Sequence, residues 1–486
     1  MTTVRRSFAY SLADNYLGVV LQLISTFVIS RLLSPGEIGI FSVAAALSAL
    51  ASTFRDFGVA EYLIQAPKAD DRRLRAALAA NLAVSWAVAA VLLAVSVPAG
   101  DFYRNDGVAT VLQVLSINFL LIPFGAVTMA CFRRELNYRP IFIINVSSSI
   151  AGFIVAIGAA MAGLSYMSMA WGALAGIVVT IGVATLLRPA HMPWMPSLRG
   201  IGEVIRFGKF ATGAYLVEQL GRSAPEAVIG RAIDLAAVAF FSRANGILEI
   251  FNRAVMRAVV QICLPYFAQR ERVSGDARAD YARTAAYVTA VGWPFFLVAL
   301  PLAYPLIRTL YGPQWIASVI LAQVLCVAAM VELPYTLASE MLVAKGRIDL
   351  STRLQMLTQG IRIAGILAFI PFGLLALCWA LTAIALANSS IAAWYLWKVI
   401  GLRPIVLIRS CASSAVVGVF CAAPVVLISV AMPATDDNHL TTLALTLPVA
   451  VVAWLLGIAL TRHPIWAEVK QLTRVVAAWR RGRDEP

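Results

Sequence analysis

Residues 238–262 read VAFFSRANGILEIFNRAVMRAVVQI, long enough to cross ~30 Å of hydrocarbon as a helix at ~1.5 Å per residue. The run nevertheless carries Arg243, Glu249, Arg253 and Arg257. Four such charges cost roughly 10–14 kcal/mol at bilayer depth, whereas the Val, Ile, Leu and Phe side chains of the run return only about 3–7 kcal/mol. Surrounded by lipid alone, this helix would not insert. At ~100° per residue counted from Arg243, the side chains of Asn252, Asn245, Glu249, Arg253, Arg257 and Arg243 fall on one half of the helix. Ala244, Ile247, Leu248, Phe251, Val255, Val259 and Ile262 take the other half. One side therefore meets lipid or packed helices, and the other must meet water, counter-charges or an anionic ligand. The alternative is a structural helix whose charges are paired inside the protein. Against it, Glu249 reaches only Arg253 at i+4, so positive charge is left over.

The rest of the chain has the composition of a polytopic membrane protein. Of its 486 residues, 60% are hydrophobic and 13% charged, with a mean hydropathy of +0.82. The polar gaps are far shorter than the ~50 residues a soluble domain needs. The net charge of +14 does not point to nucleic acid, because the basic residues lie in short loops beside apolar runs, the positive-inside pattern. Cys131, Cys263, Cys326, Cys378, Cys411 and Cys421 are scattered without metal-ligand spacing and read as small core residues. No cofactor or metal is implied. His191, His439 and His463 lie outside or at the edges of apolar runs.

The expected fold is all-α, with about fourteen transmembrane helices over residues 11–33, 38–62, 76–97, 108–130, 141–162, 165–187, 209–232, 236–262, 284–310, 315–342, 354–371, 374–397, 405–431 and 441–461. Arg5 and Arg6 precede an apolar run that is too long for a signal peptide and reads as the first span. Clusters such as Lys68, Arg72, Arg73 and Arg75, or Arg270, Arg272, Arg278 and Arg283, fall in alternate connections. Only Arg31, Arg104, Arg231 and Arg308 fall on the opposite side, which places both termini in the cytoplasm. The remaining arginines, Arg55, Arg222, Arg243, Arg253, Arg257 and Arg362, lie within spans and are functional candidates.

An internal repeat organises them. At an offset of 200, IGIFSVA from Ile38 aligns with VAFFSRA from Val238, and Arg31 with Arg231. The expected organisation is two pseudo-symmetric six-helix lobes, 1–187 and 209–400, joined by a cytoplasmic linker at 188–208. Two extra helices at 401–461 and a cytoplasmic amphipathic tail at 462–486 complete it. In that tail Ile465, Trp466, Val469, Leu472, Val476 and Trp479 form a stripe that reads as lying on membrane lipid. The repeat sets Arg55 opposite Arg253 or Arg257. Glu218, Arg222 and Glu226 follow at i+4 steps around Pro225 and read either as an ion-pair ladder or as a coupling site. Glu332 precedes Pro334, and Gln355, Gln359 and Arg362 share a face; Glu332 reads either as an ion site or as a solvated carboxylate at a kink.

RLLSPGEIGIFSVAAAL at 31–47, FRDFGVAEYLIQ at 54–65 and FRRELNYRPI at 132–141 resemble the polysaccharide-transport branch of the multidrug/oligosaccharidyl-lipid/polysaccharide flippase superfamily, which includes the Wzx-type flippases. The resemblance implies two six-helix lobes, two further C-terminal helices, and movement of an undecaprenyl-diphosphate-linked oligosaccharide across a bacterial inner membrane, driven by ion gradients or the membrane potential. It implies no enzymatic activity, and as partners the lipid-linked glycan and a polysaccharide polymerase or export machinery. It places the basic residues of spans 2 and 8, Arg55, Arg243, Arg253 and Arg257, in the cavity that receives the diphosphate. Glu218, Arg222, Glu226, Glu249, Glu332 and Arg362 are the candidates for the cavity wall or ion coupling. The residues themselves favour an anionic head group, since a planar guanidinium donates paired hydrogen bonds to phosphate. A cation-coupled drug exporter of the same superfamily would want an acidic, aromatic pocket. A membrane polymerase or ligase would need longer outer loops than Ser34–Glu37, Gly100–Gly107 or Pro433–His439 to build an active site.

Overall fold

In a computed structural model, residues 2–55, 62–63, 70–189, 192–193, 195–273 and 275–468 are described here. The tail beyond Glu468, most of the 54–65 motif and His191 lie outside them. Among the described residues the chain is helical, with no strand. The helices are α1 Thr2–Leu32, α2 Pro35–Arg55, α3 Asp71–Tyr103, α4 Asp106–Leu121, α5 Pro123–Arg134, α6 Tyr138–Met161, α7 Met167–Leu186 and α8 Ile201–Ala232. They continue as α9 Leu235–Phe251, α10 Arg257–Val273, α11 Ala277–Leu310, α12 Ser318–Glu332, α13 Ala338–Ala344, α14 Ile348–Phe369, α15 Leu374–Ile400, α16 Pro404–Ala431 and α17 His439–Leu460.

Among the described residues eleven helices are long and apolar enough to cross a membrane. Up to twelve are, if α4 and α5, bent by 53°, form one span. The bend falls where Pro123, which has no N–H to donate, opens the first turn of α5. Fourteen is not reached on that count. The two expected spans that fall short are the charged α8 and the α9–α10 pair, whose two helices of 17 residues each are divided by a five-residue π turn.

The sequence repeat is carried into the helix ends. α1 ends at Leu32 and α8 at Ala232; α2 begins at Pro35 and α9 at Leu235, all at the offset of 200. The caps match as well. Ser34 donates its N–H and its hydroxyl to Glu37 Oε2, each at 2.7 Å, a capping box at the start of α2. At the equivalent place Asp234 Oδ1 accepts the Ala237 N–H at 2.6 Å and caps α9. Each half also breaks its fourth long segment at a proline. The first breaks at Pro123 and the second at the short 3-10 turn Leu333–Tyr335 containing Pro334, directly after Glu332.

The helices gather into two compact units, Met1–Ser242 with Ile366–Leu374, and Arg243–Gly365 with Leu375–Pro486. In the first, small residues let backbones approach. A Cβ on Gly172 of α7 would meet the Ala156 Cβ of α6 at 2.7 Å, and Ser148 Oγ donates to the Gly176 carbonyl at 2.8 Å. A Cβ on Gly39 would overlap the Leu235 carbonyl, and Tyr103 donates its hydroxyl to the Ala227 carbonyl at 3.1 Å. These contacts hold α8 and the start of α9 in the first unit. Outward from both units point large apolar side chains such as Ile154, Val178, Leu186, Leu427 and Val430, which only lipid can cover without cost.

In the second unit α11 packs along α16 and α17, with Leu302, Val425, Leu443 and Ala450 buried together. The chain leaving α17 is pinned there. Ile465 and Trp466 pack on Val417, Cys421 and Ile458, so these two members of the tail stripe meet protein where lipid was expected. His463 between them and α17 is 1% exposed. Its Nδ1 accepts the Ile465 N–H at 3.2 Å, which leaves the proton on Nε2 to be donated to Ser414 Oγ at 3.1 Å. Ser414 in turn donates to the Ala286 carbonyl at 3.0 Å. Burial pushes the imidazole pKa below its ordinary 6.5. A histidine held neutral contributes stability that is fully present above the unfolded value and is lost as pH falls through the lowered folded value. The melting temperature of the purified protein is therefore expected to drop as pH falls below about 6.5, and His463→Gln to flatten that dependence. An unchanged slope in the variant would show that His463 is not the titrating group.

Candidate functional site

The charged helix does not continue as one α-helix. After α9 the backbone widens into a π turn over Asn252–Met256, closed by the Arg257 N–H bonding the Asn252 carbonyl five residues back. One extra residue in that turn rotates everything beyond it by about 100° relative to an unbroken α-helix. The helical-wheel placement therefore holds from Arg243 to Phe251 and fails for Arg257. Two arginines, Arg253 within the turn and Arg257 at its end, sit at this irregularity. Such turns recur at functional sites because they let side chains leave the ordinary register.

The structure separates the four candidate arginines by environment. Arg243 is 9% exposed, and its guanidinium lies 5.4 Å from the Tyr311 ring and 5.1 Å from the Trp315 ring, both cation–π distances. Its neighbours on the wheel, Ala244, Ile247 and Phe251, are also buried. Arg243 thus belongs to the packed edge of α9, with a fixed place inside the second unit. Gly246 makes room for the same aromatic group, since a Cβ there would stand 2.5 Å from the Tyr311 hydroxyl. Arg253 Nε donates to Glu249 Oε2 at 3.1 Å, both side chains more than a third exposed. This is the i+4 pair expected from the sequence, and its exposure limits its worth to a surface pair of about 0.5 kcal/mol. Arg257 is exposed, and its side chain has no hydrogen bond or ion pair among the described residues.

The other candidates sit as follows. In the first unit, Arg55 ends α2 with its guanidinium 5.6 Å from the Phe119 ring. Arg222 pairs with Glu218 at 2.7 Å on the exposed side of α8, one rung of the expected ladder; Glu226 lies one turn further on, beyond Pro225. In the second unit, Glu332 closes α12 and lies within electrostatic reach of Arg362 of α14. The six cysteines are buried. Sequence reasoning missed Tyr311 and Trp315, which decide what Arg243 does. The one local signal was Gly246, a mid-helix glycine whose presence calls for a close neighbour.

The family model for polysaccharide biosynthesis proteins matches residues 28–320. The chain belongs to this family. It is similar to the lipopolysaccharide biosynthesis protein WzxC of Escherichia coli (strain K12), with 23% identity over 337 residues, 68% of each chain. It is similar also to the teichuronic acid biosynthesis protein TuaB of Bacillus subtilis (strain 168), with 23% identity over 402 residues, 79% of this chain and 80% of TuaB. Among solved structures it is similar to the lipid II flippase MurJ in its inward closed conformation, with a TM-score of 0.75 at 10% identity over 93% of this chain and 98% of that one. At such identity the last likeness is one of fold. The resemblance drawn from RLLSPGEIGIFSVAAAL and its companions is met in family and fold: this is a multi-span membrane protein of the polysaccharide biosynthesis family.

Arg243→Ala and Arg257→Ala are expected to behave differently in thermal unfolding of the detergent-purified protein. Removing the buried, ring-packed Arg243 should cost about 3 kcal/mol, and removing the exposed Arg257 no more than about 0.5 kcal/mol. Equal losses would contradict the division into one structural and one available arginine.

Proposed function

We propose that this protein carries a polyprenyl-diphosphate-linked oligosaccharide from the cytoplasmic to the outer leaflet of a bacterial inner membrane by alternating access, for assembly of a surface polysaccharide. The observation that carries the reading is Arg257: an exposed guanidinium with no side-chain partner among the described residues, four residues from Arg253. A diphosphate offers fixed negative charge and several acceptor oxygens, the complement of two neighbouring guanidinium groups. In this reading Arg253 and Arg257 receive the diphosphate, with Glu249 holding Arg253 in place until the cargo arrives, and Arg243 fixes the helix that presents them. Arg55, in the first unit, is a separate candidate for anion binding. Glu218, Arg222 and Glu226, and separately Glu332 with Arg362, are the groups assigned to coupling with an ion gradient. Both termini face the cytoplasm, following the loop arginines. The names of WzxC and TuaB, each a biosynthesis protein of a surface glycan, support this substrate class. So does the basic balance of the in-span charges, which disfavours a pocket for organic cations.

The test is complementation of a strain that depends on this protein for surface polysaccharide, with membrane abundance measured for every variant. Arg253→Gln and Arg257→Gln are each expected to lower export by about tenfold, the scale of losing a hydrogen bond to a charged group. The Lys variants should recover only part of it, because an ammonium cannot make the paired contact. Export at the normal rate in both Gln variants would overturn the assignment.

A further inference from the structure

The second unit has an open recess of about 1010 Å³ that none of the candidate site residues lines. The end of α10, the first turns of α11, the turn at Lys345, the α15–α16 junction and Pro464 surround it. Its wall carries four basic side chains, Arg270, Arg278, Arg283 and Lys345, against two acidic ones, Asp276 and Asp280. Arg270 lies thirteen residues beyond Arg257 on α10, about 20 Å along the helix, so this is a separate place.

Both carboxylates are already committed. Asp280 is buried and accepts Arg270 Nε at 3.0 Å and the Tyr266 hydroxyl at 3.3 Å. Asp276 caps α11 by accepting the Ala279 N–H at 3.2 Å. Lys345 is matched by Glu271 at 2.6 Å. Two guanidinium groups remain. Arg278 uses its Nε on the Ile400 carbonyl at 2.9 Å, one of its five donors. It lies flat over Gly401, where a Cβ would come within 3.2 Å of it and where φ is +68°. Glycine at 401 thus keeps open the seat of this guanidinium. Arg283, one and a half turns along α11, is exposed, and its side chain has no hydrogen bond or ion pair among the described residues.

The surroundings are those of a membrane interface. Val399, Ile400 and Val406 contribute apolar wall beside the charges. Just before the junction, Trp394 and Trp397 are about half exposed, and Lys398 lies over the Trp394 ring at 4.9 Å, as in the aromatic belts at head-group level. Just after it, Ile405, Val406 and Ile408 are exposed on the first turns of α16. Fixed positive charge in a recess, next to aliphatic surface running into the membrane, is the complement of a phosphodiester joined to acyl chains.

We propose that this cavity is a binding site for the head group of an anionic phospholipid, with Arg278 and Arg283 on the phosphate and the acyl chains against α16. The site is independent of the transport reading and would stand if that reading failed. A lipid bound there ties α11, α15 and α16 together on the basic side of the unit.

The test uses the full-length protein in an uncharged detergent, titrated separately with phosphatidylglycerol, phosphatidylethanolamine and inorganic phosphate, with retained lipid read by native mass spectrometry and stabilisation by thermal shift. Phosphatidylglycerol is expected to bind and stabilise, and the other two not to. Arg278→Gln and Arg283→Gln should each weaken phosphatidylglycerol binding by about tenfold. Arg272→Gln, an exposed arginine outside the cavity, should leave it unchanged. Equal binding of the two lipids, an equal effect of inorganic phosphate, or undiminished binding in Arg283→Gln would overturn the proposal. Should a variant prove unstable without lipid, the comparison of the two lipids on the wild-type protein decides alone.

Discussion

A guanidinium charge at bilayer depth has few stable states: paired with a carboxylate, packed on aromatic faces, or in contact with water or a ligand. The α9–π–α10 segment shows all three within fifteen residues. Arg243 is packed on Tyr311 and Trp315, Arg253 is paired with Glu249, and Arg257 is left to whatever enters from outside. The three states are ordered along the helix, from buried anchor to available charge. The π turn lies between the anchor and the available charge, and it re-aims the end of the segment without breaking the helix that the anchor holds.

The apolar architecture was legible from residues alone, since hydropathy and prolines act locally. The offset of 200, weak as a set of identities, turned out to govern helix ends and caps, because Ser34 with Glu37 and Asp234 with Ala237 perform the same capping task at matching places. What could not be read was whatever depends on distant partners. The burial of Arg243 is decided by rings roughly seventy residues away in the chain. The docking of Ile465 and Trp466 on α16 and α17 looks, from its periodicity, the same as docking on lipid. The π turn leaves no compositional mark beyond a mid-helix asparagine, and a wheel drawn at a constant angle passes over it. The candidate site was therefore legible as a list of charges, and only the structure gave each of them its surroundings.

His463 and the cavity at Arg278 act on the same small region from two sides. The buried imidazole holds the chain after α17 to α11 and α16 through Ser414, while the basic recess joins α11 to the α15–α16 junction. Neither involves Arg253 or Arg257, the two arginines assigned to the cargo. That separation is what permits the charged segment to carry exposed, costly groups.

The central claim is that positive charge on this segment recognises the phosphate of the cargo and not its sugar. It is tested most directly in proteoliposomes, by comparing transbilayer movement of one oligosaccharide attached to a polyprenyl diphosphate with that of the same oligosaccharide attached to an uncharged lipid of equal chain length. Accelerated movement of the diphosphate-linked form alone is the expected result. Equal acceleration of both would contradict the account.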